Sequence, residues 1–306
     1  MATPRTQKSY PPVKFPKPKE VSAIGNPLIE SSFRMEANEL KLLIFVCSFI
    51  HEEHDFFTYS FTVEQAAKAF GRKYDREHQS FYTDLKRWSK SIVGRTIELP
   101  DFIPQTGAKP RDRQTTIFDY FDYINGEARV EVVFKNWLKP YLLDLKREFT
   151  RIAVREITQL QSFYGLKLFM LLSQYSKFKR RKFALKDLRF ALGVEDGIYP
   201  EWGEFDRRVI KIAINDLRRA NILEVESIPY KRGRKVFEVE FRFYKPGSER
   251  DETPTKKDQE EAILIAQNMI RFQEILMEEK DLFDTEEANQ RAIKRLLQEI
   301  KQTKNV

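Results

Sequence analysis

Residues 40–49 read LKLLIFVCSF, and residues 166–175 read LKLFMLLSQY, so a similar apolar run occurs twice in the chain. Two more pairs follow in the same order: FTVEQAAKAFG at 61–71 with FALKDLRFALG at 183–193, and TDLKR at 83–87 with NDLRR at 215–219. The offsets are 126, 122 and 132 residues, as expected when loops differ in length between two copies. Chance similarity among Leu- and Lys-rich helices is the alternative, which three matches in one order disfavour. The repeat therefore predicts two copies of one domain.

The two copies show the same succession of residue patterns. Each has three segments in which apolar residues recur at helical spacing, followed by segments that alternate with a period of two, as strands do. The expected helices are residues 36–50, 61–71 and 75–93 in the first copy and 162–175, 186–192 and 204–220 in the second. The expected strands are residues 96–99, 116–123 and 129–134 in the first copy, with a hairpin turn at Asn125-Gly126, and residues 222–226 and 236–243 in the second.

Three short helices followed by a twisted hairpin are the winged-helix form of the helix-turn-helix. Gly71 and Gly193 stand between the second and third helices of their copies, where a tight turn is needed. We therefore predict an α+β protein with two tandem winged-helix domains and a C-terminal helical tail. The expected boundaries are a flexible basic arm at 1–25, the first domain at 26–146, the second at 147–248 and a charged helical tail at 249–306.

The formal net charge is +8, and it is distributed unevenly. Residues 149–248 include 21 basic and 12 acidic residues, whereas residues 249–306 include 10 basic and 14 acidic residues. Such a concentration of positive charge is expected of a surface that binds a polyanion such as nucleic acid. A basic, well-solvated surface without a partner would have the same composition.

The single cysteine, Cys47, lies within an apolar helical run, so it is expected in the core, and it cannot form an internal disulfide. No apolar run approaches the ~20 residues that span a bilayer, and the N-terminus lacks the apolar core of a signal peptide. These features predict a soluble cytoplasmic protein. No cofactor is expected, since the sequence has no phosphate loop of the GxxxxGK(S/T) type.

The third helix of the second copy, residues 204–220, carries the strongest candidates for reading DNA. Its expected core face consists of Phe205, Val209, Ile212, Ala213 and Leu217. Arginine can bind guanine O6 and N7 with two hydrogen bonds, and asparagine can bind adenine in the same way. The opposite face carries Arg207, Arg208, Lys211, Asn215 and Arg218, of which the first three are expected at base edges.

Further basic residues flank this helix in the predicted fold and are expected to meet phosphates or a minor groove. They are Lys231, Arg232, Arg234 and Lys235 on the wing, and Lys179, Arg180 and Arg181 in the run at 177–182. The first copy mixes basic and acidic residues in and near its third helix, so it is suited to holding phosphates rather than reading bases. Its candidates are Lys73, Arg76, Lys86 and Arg87.

With these features the chain resembles the Rep_3 family of plasmid replication initiators over about residues 26–244. The matching features are Asn26-Pro27-Leu28-Ile29, residues 162–172, residues 183–193, Tyr199, Trp202, residues 205–210 and the wing at 231–234. The most specific part is the second domain. The acidic tail after Glu249 has no counterpart in this resemblance.

The resemblance implies a bacterial, plasmid-encoded protein that binds short direct repeats, called iterons, in a plasmid origin. It implies that monomers start replication and recruit the host helicase and replication proteins. It also implies that dimers, in equilibrium with the monomers, repress the initiator's own promoter and help to control copy number. Arg207, Arg208 and Lys211 match the positions expected to read bases, and the first domain would hold the neighbouring backbone and form the dimer. Bending of A·T-rich DNA by an array of monomers would favour melting without ATP hydrolysis by this chain.

Three other functions are compatible with parts of the sequence. A metal-dependent nicking enzyme needs paired histidines and a tyrosine, and His51-Glu52-Glu53-His54 has the spacing of a metal pair, but no tyrosine motif or third ligand accompanies it. We therefore expect no enzymatic activity and no metal. A transcriptional repressor without initiator activity would share the fold and the DNA contacts, and a structural adaptor would use the same domains for protein contacts.

Overall fold

The computed structural model describes residues 17–50, 58–74, 80–102, 111–124, 126–143 and 149–248, together with Ile275 and Arg295. The chain divides into two compact units, residues 1–248 and residues 249–306. Ile275 and Arg295 are helical, and the rest of the helices expected in the tail lies outside the described residues. The elements below all belong to the first unit.

The first copy opens with a strand and a short helix that precede its winged-helix elements. In chain order it contains β1 (Val21–Gly25), α1 (Asn26–Glu30), β2 (Ser32–Phe33), α2 (Ala37–Cys47), β3 (Thr58–Thr62), α3 (Val63–Ala69), α4 (Ser80–Val93), β4 (Thr96–Phe102), β5 (Arg111–Thr116), β6 (Phe118–Ile124), β7 (Arg129–Phe134), a 3-10 turn (Asn136–Leu138) and α5 (Lys139–Leu142).

The second copy has a similar order with fewer strands. It contains β8 (Phe149–Ala153), α6 (Val154–Gln159), α7 (Phe163–Ser173), β9 (Arg180–Ala184), α8 (Leu185–Ala191), α9 (Trp202–Phe205), a π-helical turn (Asp206–Ile210), α10 (Lys211–Arg219), β10 (Glu224–Arg232) and β11 (Lys235–Tyr244). The helices α2 and α3 stand at the expected offsets from α7 and α8, so the structure confirms the two tandem winged-helix domains.

Each domain has a three-stranded antiparallel sheet, β3–β7–β6 in the first and β9–β11–β10 in the second. The sequence patterns did not predict β3 and β9, because each is a short strand at the edge of its sheet that runs directly into a helix. The single strand expected at 116–123 is also wrong. The chain forms β5 and β6 there, in two different sheets, and the fully buried Ile117 marks the change between them.

The helix ends follow local rules that can be read from the sequence. Thr62 begins α3, since its hydroxyl accepts a hydrogen bond from the Gln65 backbone while the Gln65 side chain accepts one from the Thr62 backbone. Ser162 begins α7 in the same way, with Oγ accepting from the Gly165 backbone N–H at 2.8 Å. These caps orient the second helix of one domain and the first helix of the other.

The two domains pack on each other through equivalent elements. Strand β1 pairs with β8 in antiparallel register, with Ala23 opposite Arg151 at the centre of the ladder. The arm expected at 1–25 is therefore wrong for residues 21–25, which form β1, while residues 1–16 lie outside the described residues. The buried apolar residues of both domains form one continuous core, which holds the two domains as one unit.

Candidate nucleic-acid interface

The recognition helix of the second domain is the segment Trp202–Arg219, which comprises α9, the π-helical turn and α10. Its cations are exposed: the side-chain exposure of Arg207 is 65 %, that of Lys211 is 64 % and that of Arg218 is 55 %. Arg208 and Asn215 are exposed as well, so all five residues expected on this face lie on the surface. The structure thus brings together on one helix face the groups that were expected to read bases.

Three cations on this face each lie close to the carboxylate of an acidic residue. Arg207 lies 3.8 Å from Glu204, Lys211 lies 3.0 Å from Asp206, and Arg218 lies 3.1 Å from Glu224. Exposed ion pairs of this kind contribute about 0–1 kcal/mol, because water and salt screen them. A phosphate or a base edge can therefore replace the carboxylates at little cost.

The π-helical turn at Asp206–Ile210 contains the first two arginines of the face, Arg207 and Arg208. A π turn takes one more residue per turn than an α-helix, so it displaces the buried stripe beyond it by about one position. As a result Ile210 and Ile214 are buried, whereas Ile212 is 44 % exposed. The expectation that Ile212 belongs to the core is wrong, because it assumed one uninterrupted helical period from Phe205 onward.

Tyr199 positions Arg208, a contact that the sequence patterns did not indicate. The Arg208 guanidinium lies over the Tyr199 ring at 5.6 Å from its centroid, and Tyr199 adopts a positive φ of 54°. Arg189 holds the loop in place, since it donates hydrogen bonds to the carbonyl oxygens of Ile198 and Tyr199. The loop that leads into the recognition helix is thereby held beside Arg208, one of the three base-reading candidates.

The wing is the hairpin of β10 and β11, and its tip is strongly basic. All four cations expected there are exposed, namely Lys231, Arg232, Arg234 and Lys235. Gly233 makes the turn with a φ of +60°, and the Arg232 guanidinium lies 4.7 Å from the centroid of the Phe237 ring. The tip thus presents four positive charges on a short turn. The hairpin that carries it follows the recognition helix in the chain.

The basic run before and within β9 divides into two groups. Lys179 and Arg180 are exposed. Arg181 is only 10 % exposed at its side chain, because its guanidinium pairs with Glu30 at 2.5 Å and donates to the Leu171 carbonyl at 2.8 Å. Arg181 thus joins the two domains, and the expectation that it meets DNA is corrected on that ground.

In the first domain the candidates lie on and before α4. Lys73, Lys86 and Arg87 are exposed, and Arg76 lies outside the described residues. The Lys86 ammonium lies over the rings of Tyr82 and Tyr123, at 4.7 and 5.1 Å from their centroids. Two aromatic faces orient this cation while leaving it exposed, which suits a fixed phosphate contact.

The described residues contain no group of three or more His, Cys, Asp or Glu side chains that could hold a metal ion, and His51 and His54 lie outside them. Cys47 is buried, as expected, and burial raises the pKa of its thiol. In the part of the chain that the structure describes, no helix is long and apolar enough to cross a membrane.

Two winged-helix domains, one of them with a basic recognition helix beside a basic wing, define a tandem winged-helix DNA-binding protein. Residues 23–173 match the family model of the initiator replication protein WH1 domain, and residues 184–243 match that of the initiator Rep protein WH2 domain. The chain therefore belongs to the Rep_3 family of replication initiators, and it is a DNA-binding protein of replication initiation.

Two solved structures are similar to the chain, and the first of them supports the fold. The Pi initiator protein, whose structure was determined in complex with iteron DNA, matches with a TM-score of 0.60 and 18% sequence identity, over 76% of this chain and 100% of that chain. Domains 2 and 3 of RctB match with a TM-score of 0.42 and 10% identity, over 76% of this chain and 93% of that chain. No curated protein sequence matches the chain.

Proposed function

We propose that this protein starts plasmid replication by binding directly repeated sites in the origin, with its second domain reading bases and its first domain holding the adjacent backbone. The observation that carries the proposal is the exposed face of Arg207, Arg208, Lys211 and Asn215, together with a wing tip whose four cations are also exposed. The Pi initiator, which has a similar fold, was solved with iteron DNA. From this similarity we infer that the DNA sites of this chain are iterons as well.

The second domain would dock the recognition helix in the major groove and the wing on the flanking phosphates. Arg207 and Arg208 lie in the first half of the helix and Lys211 lies at its midpoint, and the N-terminal part of the recognition helix contacts base edges in helix-turn-helix proteins. The wing cations would neutralise phosphates and so fix the position of the helix along the duplex. Lys179 and Arg180 would extend these contacts on the other side.

The first domain would grip the backbone of the neighbouring turn of DNA through Lys73, Lys86 and Arg87. Since β1–β8 pairing holds the two domains together, both would bind one face of a single site. The same domain would provide the dimer interface, and a dimer would repress the initiator's own promoter. The host helicase and replication proteins would then enter at the strained origin, with no catalytic step by this chain.

The test is footprinting of the full chain on the origin fragment of its plasmid. We expect protection at regular intervals, and we expect the double variant Arg207→Ala, Arg208→Ala to lose it. The variant Arg155→Ala, Lys245→Ala removes two exposed positive charges outside the recognition face and is the matched control; it should retain the pattern. Diffuse protection by the unaltered protein would contradict the proposal.

A repressor with the same fold would also bind DNA specifically, so a second assay separates the two functions. A plasmid that carries only the origin should replicate when the chain is supplied from another replicon. Specific binding without replication in this assay would favour the repressor, and binding that is weak and insensitive to salt would favour the adaptor.

A further inference from the structure

Ile212 is an exposed aliphatic side chain in the middle of the recognition helix. Within Trp202–Arg219 the other aliphatic residues and Phe205 are at most 8 % exposed, whereas Ile212 is 44 % exposed. The buried set is Phe205, Val209, Ile210, Ala213, Ile214 and Leu217. Burying an isoleucine side chain is favourable, and the free protein forgoes part of that gain at this position.

The surroundings of Ile212 are the groups that would read bases. Arg208 precedes it by four residues and Asn215 follows it by three, so these two share its side of the helix, while Lys211 is its neighbour in the chain. All three polar neighbours are exposed. The displacement introduced by the π-helical turn puts an apolar side chain in the centre of an otherwise polar face.

The major groove contains one apolar group at its base edges, the C5-methyl of thymine, and aliphatic side chains contact it. Arginine, lysine and asparagine account for guanine and adenine, and they leave the methyl group without a partner. We propose that Ile212 contacts the methyl group of a thymine next to the bases that Arg208 and Asn215 bind. This contact makes Ile212 a specificity-determining residue for a T·A pair, and it rests on the proposed function.

The test uses duplexes that carry one binding site, defined by footprinting on the plasmid origin, in which each thymine in turn is replaced by deoxyuridine. This exchange removes only the methyl group. For the unaltered protein we expect one thymine at which the exchange weakens binding about three- to fivefold, as the loss of one buried methyl group would. For Ile212→Ala we expect weaker binding to the thymine duplex and no further loss with deoxyuridine at that position.

Val21→Ala is the matched control, because Val21 is an aliphatic residue of similar exposure, 36 %, that lies in β1 of the first domain. This variant should keep the full sensitivity to deoxyuridine. Since Ile212 is exposed, the Ile212→Ala variant should unfold at the same urea concentration as the unaltered protein, which separates a lost contact from a lost fold.

The results that would overturn the inference differ in what they imply for the proposed function. If the unaltered protein binds its site specifically but no thymine is sensitive, or if Ile212→Ala keeps the sensitivity, the methyl contact is refuted while the proposed function stands. If the unaltered protein shows no preferred site at all, the proposed function fails and the inference fails with it.

Discussion

Lys41 and Lys167 occupy the same position in the two copies, and each donates hydrogen bonds to the backbone of the other domain. Lys41 Nζ lies 3.1 Å from the Thr158 carbonyl oxygen in α6. Lys167 Nζ lies 2.7 Å from the carbonyl oxygen of Ile29 and 3.0 Å from that of Ser31, at the end of α1. Carbonyl groups at helix ends have no partner within the helix, so this exchange satisfies them reciprocally and ties the domains together.

Lys167 makes folding stability depend on pH. Its side chain is fully buried, and burial lowers the pKa of its ammonium group from the ordinary 10.5 to about 7. Between these two values the unfolded chain binds a proton that the folded chain has lost, so raising the pH through this range stabilises the folded state. The free energy of unfolding should therefore gain a contribution as pH rises from about 7 towards 10.5, and lose it again as pH falls from 10.5 to about 7.

The variant Lys167→Met keeps the length of the side chain and removes the titrating group. We expect urea titrations at a series of pH values to show a smaller rise of unfolding free energy with pH for this variant. Two carbonyl groups lose their donor, so at neutral pH the variant should also be about 1–3 kcal/mol less stable. The exposed Lys245→Met serves as control, and parallel pH profiles for all three proteins would contradict the assignment.

Gly71 and Gly193 allow a matched comparison of one turn in two settings. Both adopt the left-handed region, with φ of +64° and +63°. At Gly71 nothing lies near the position that a Cβ would take, whereas at Gly193 a Cβ would overlap the Phe33 carbonyl oxygen of the first domain. Gly71→Ala should therefore lower the free energy of unfolding by about 1–2 kcal/mol, the cost of the left-handed backbone conformation for alanine.

Gly193→Ala should cost at least twice as much, because it also pushes the two domains apart. Urea unfolding of both variants measures the difference directly. Equal losses of unfolding free energy in the two variants would contradict this expectation, because they would show that the contact at Phe33 adjusts without loss of stability.

Asp216 joins the recognition helix to the start of α7. Its carboxylate accepts hydrogen bonds from the backbone N–H groups of Gln161 and Ser162, at 2.9 and 2.7 Å, and from Arg219. Burial raises the pKa of Asp216, but the hydrogen bonds from Ser162, Arg219 and Gln161 together outweigh it, so the pKa lies below the ordinary 3.8. The carboxylate thus stabilises the fold above pH 3.8, and that contribution is lost as pH falls through the lowered pKa.

Asp216→Asn should lower the unfolding free energy at neutral pH by about 1.5–3 kcal/mol, since hydrogen bonds to a charged group are lost. The difference in unfolding free energy between the variant and the unaltered protein should become smaller below about pH 4. Circular dichroism during urea unfolding measures both effects, with the exposed Asp196→Asn as control. A gap that is constant with pH would refute the role of the charge.

The wing and the recognition helix should affect DNA binding in different ways. Arg232→Ala and Arg234→Ala should each reduce the slope of log K against log salt concentration by about 0.9, because each removes one phosphate contact. Neither should change which sequence is preferred. Arg208→Ala should instead reduce the preference for the specific site over random duplex DNA, by about 1–3 kcal/mol. Fluorescence anisotropy across a salt series on both duplexes measures these quantities, and a wing variant that alters preference without altering the slope would contradict the division of roles.

Patterns local in the chain accounted for much of the fold. Apolar spacing predicted the helices, and alternation predicted the wing of the second domain. The exposed positions of Arg207 and Lys211 followed from the same spacing. Predictions failed where a strand was too short to show alternation, as for β3 and β9, or where the helical period was interrupted.

The sequence by itself thus determined the duplication, the winged-helix class and the basic face of the recognition helix, because these depend on neighbours a few residues apart. Only the tertiary structure decided that β1 pairs with β8, that Arg181 binds Glu30 rather than facing outward, and that Ile212 is exposed. The first two are contacts between residues more than a hundred positions apart, and the third follows from a π-helical turn within the recognition helix. Such features arise from the balance of burial and hydrogen bonding over the whole core, which no local pattern records.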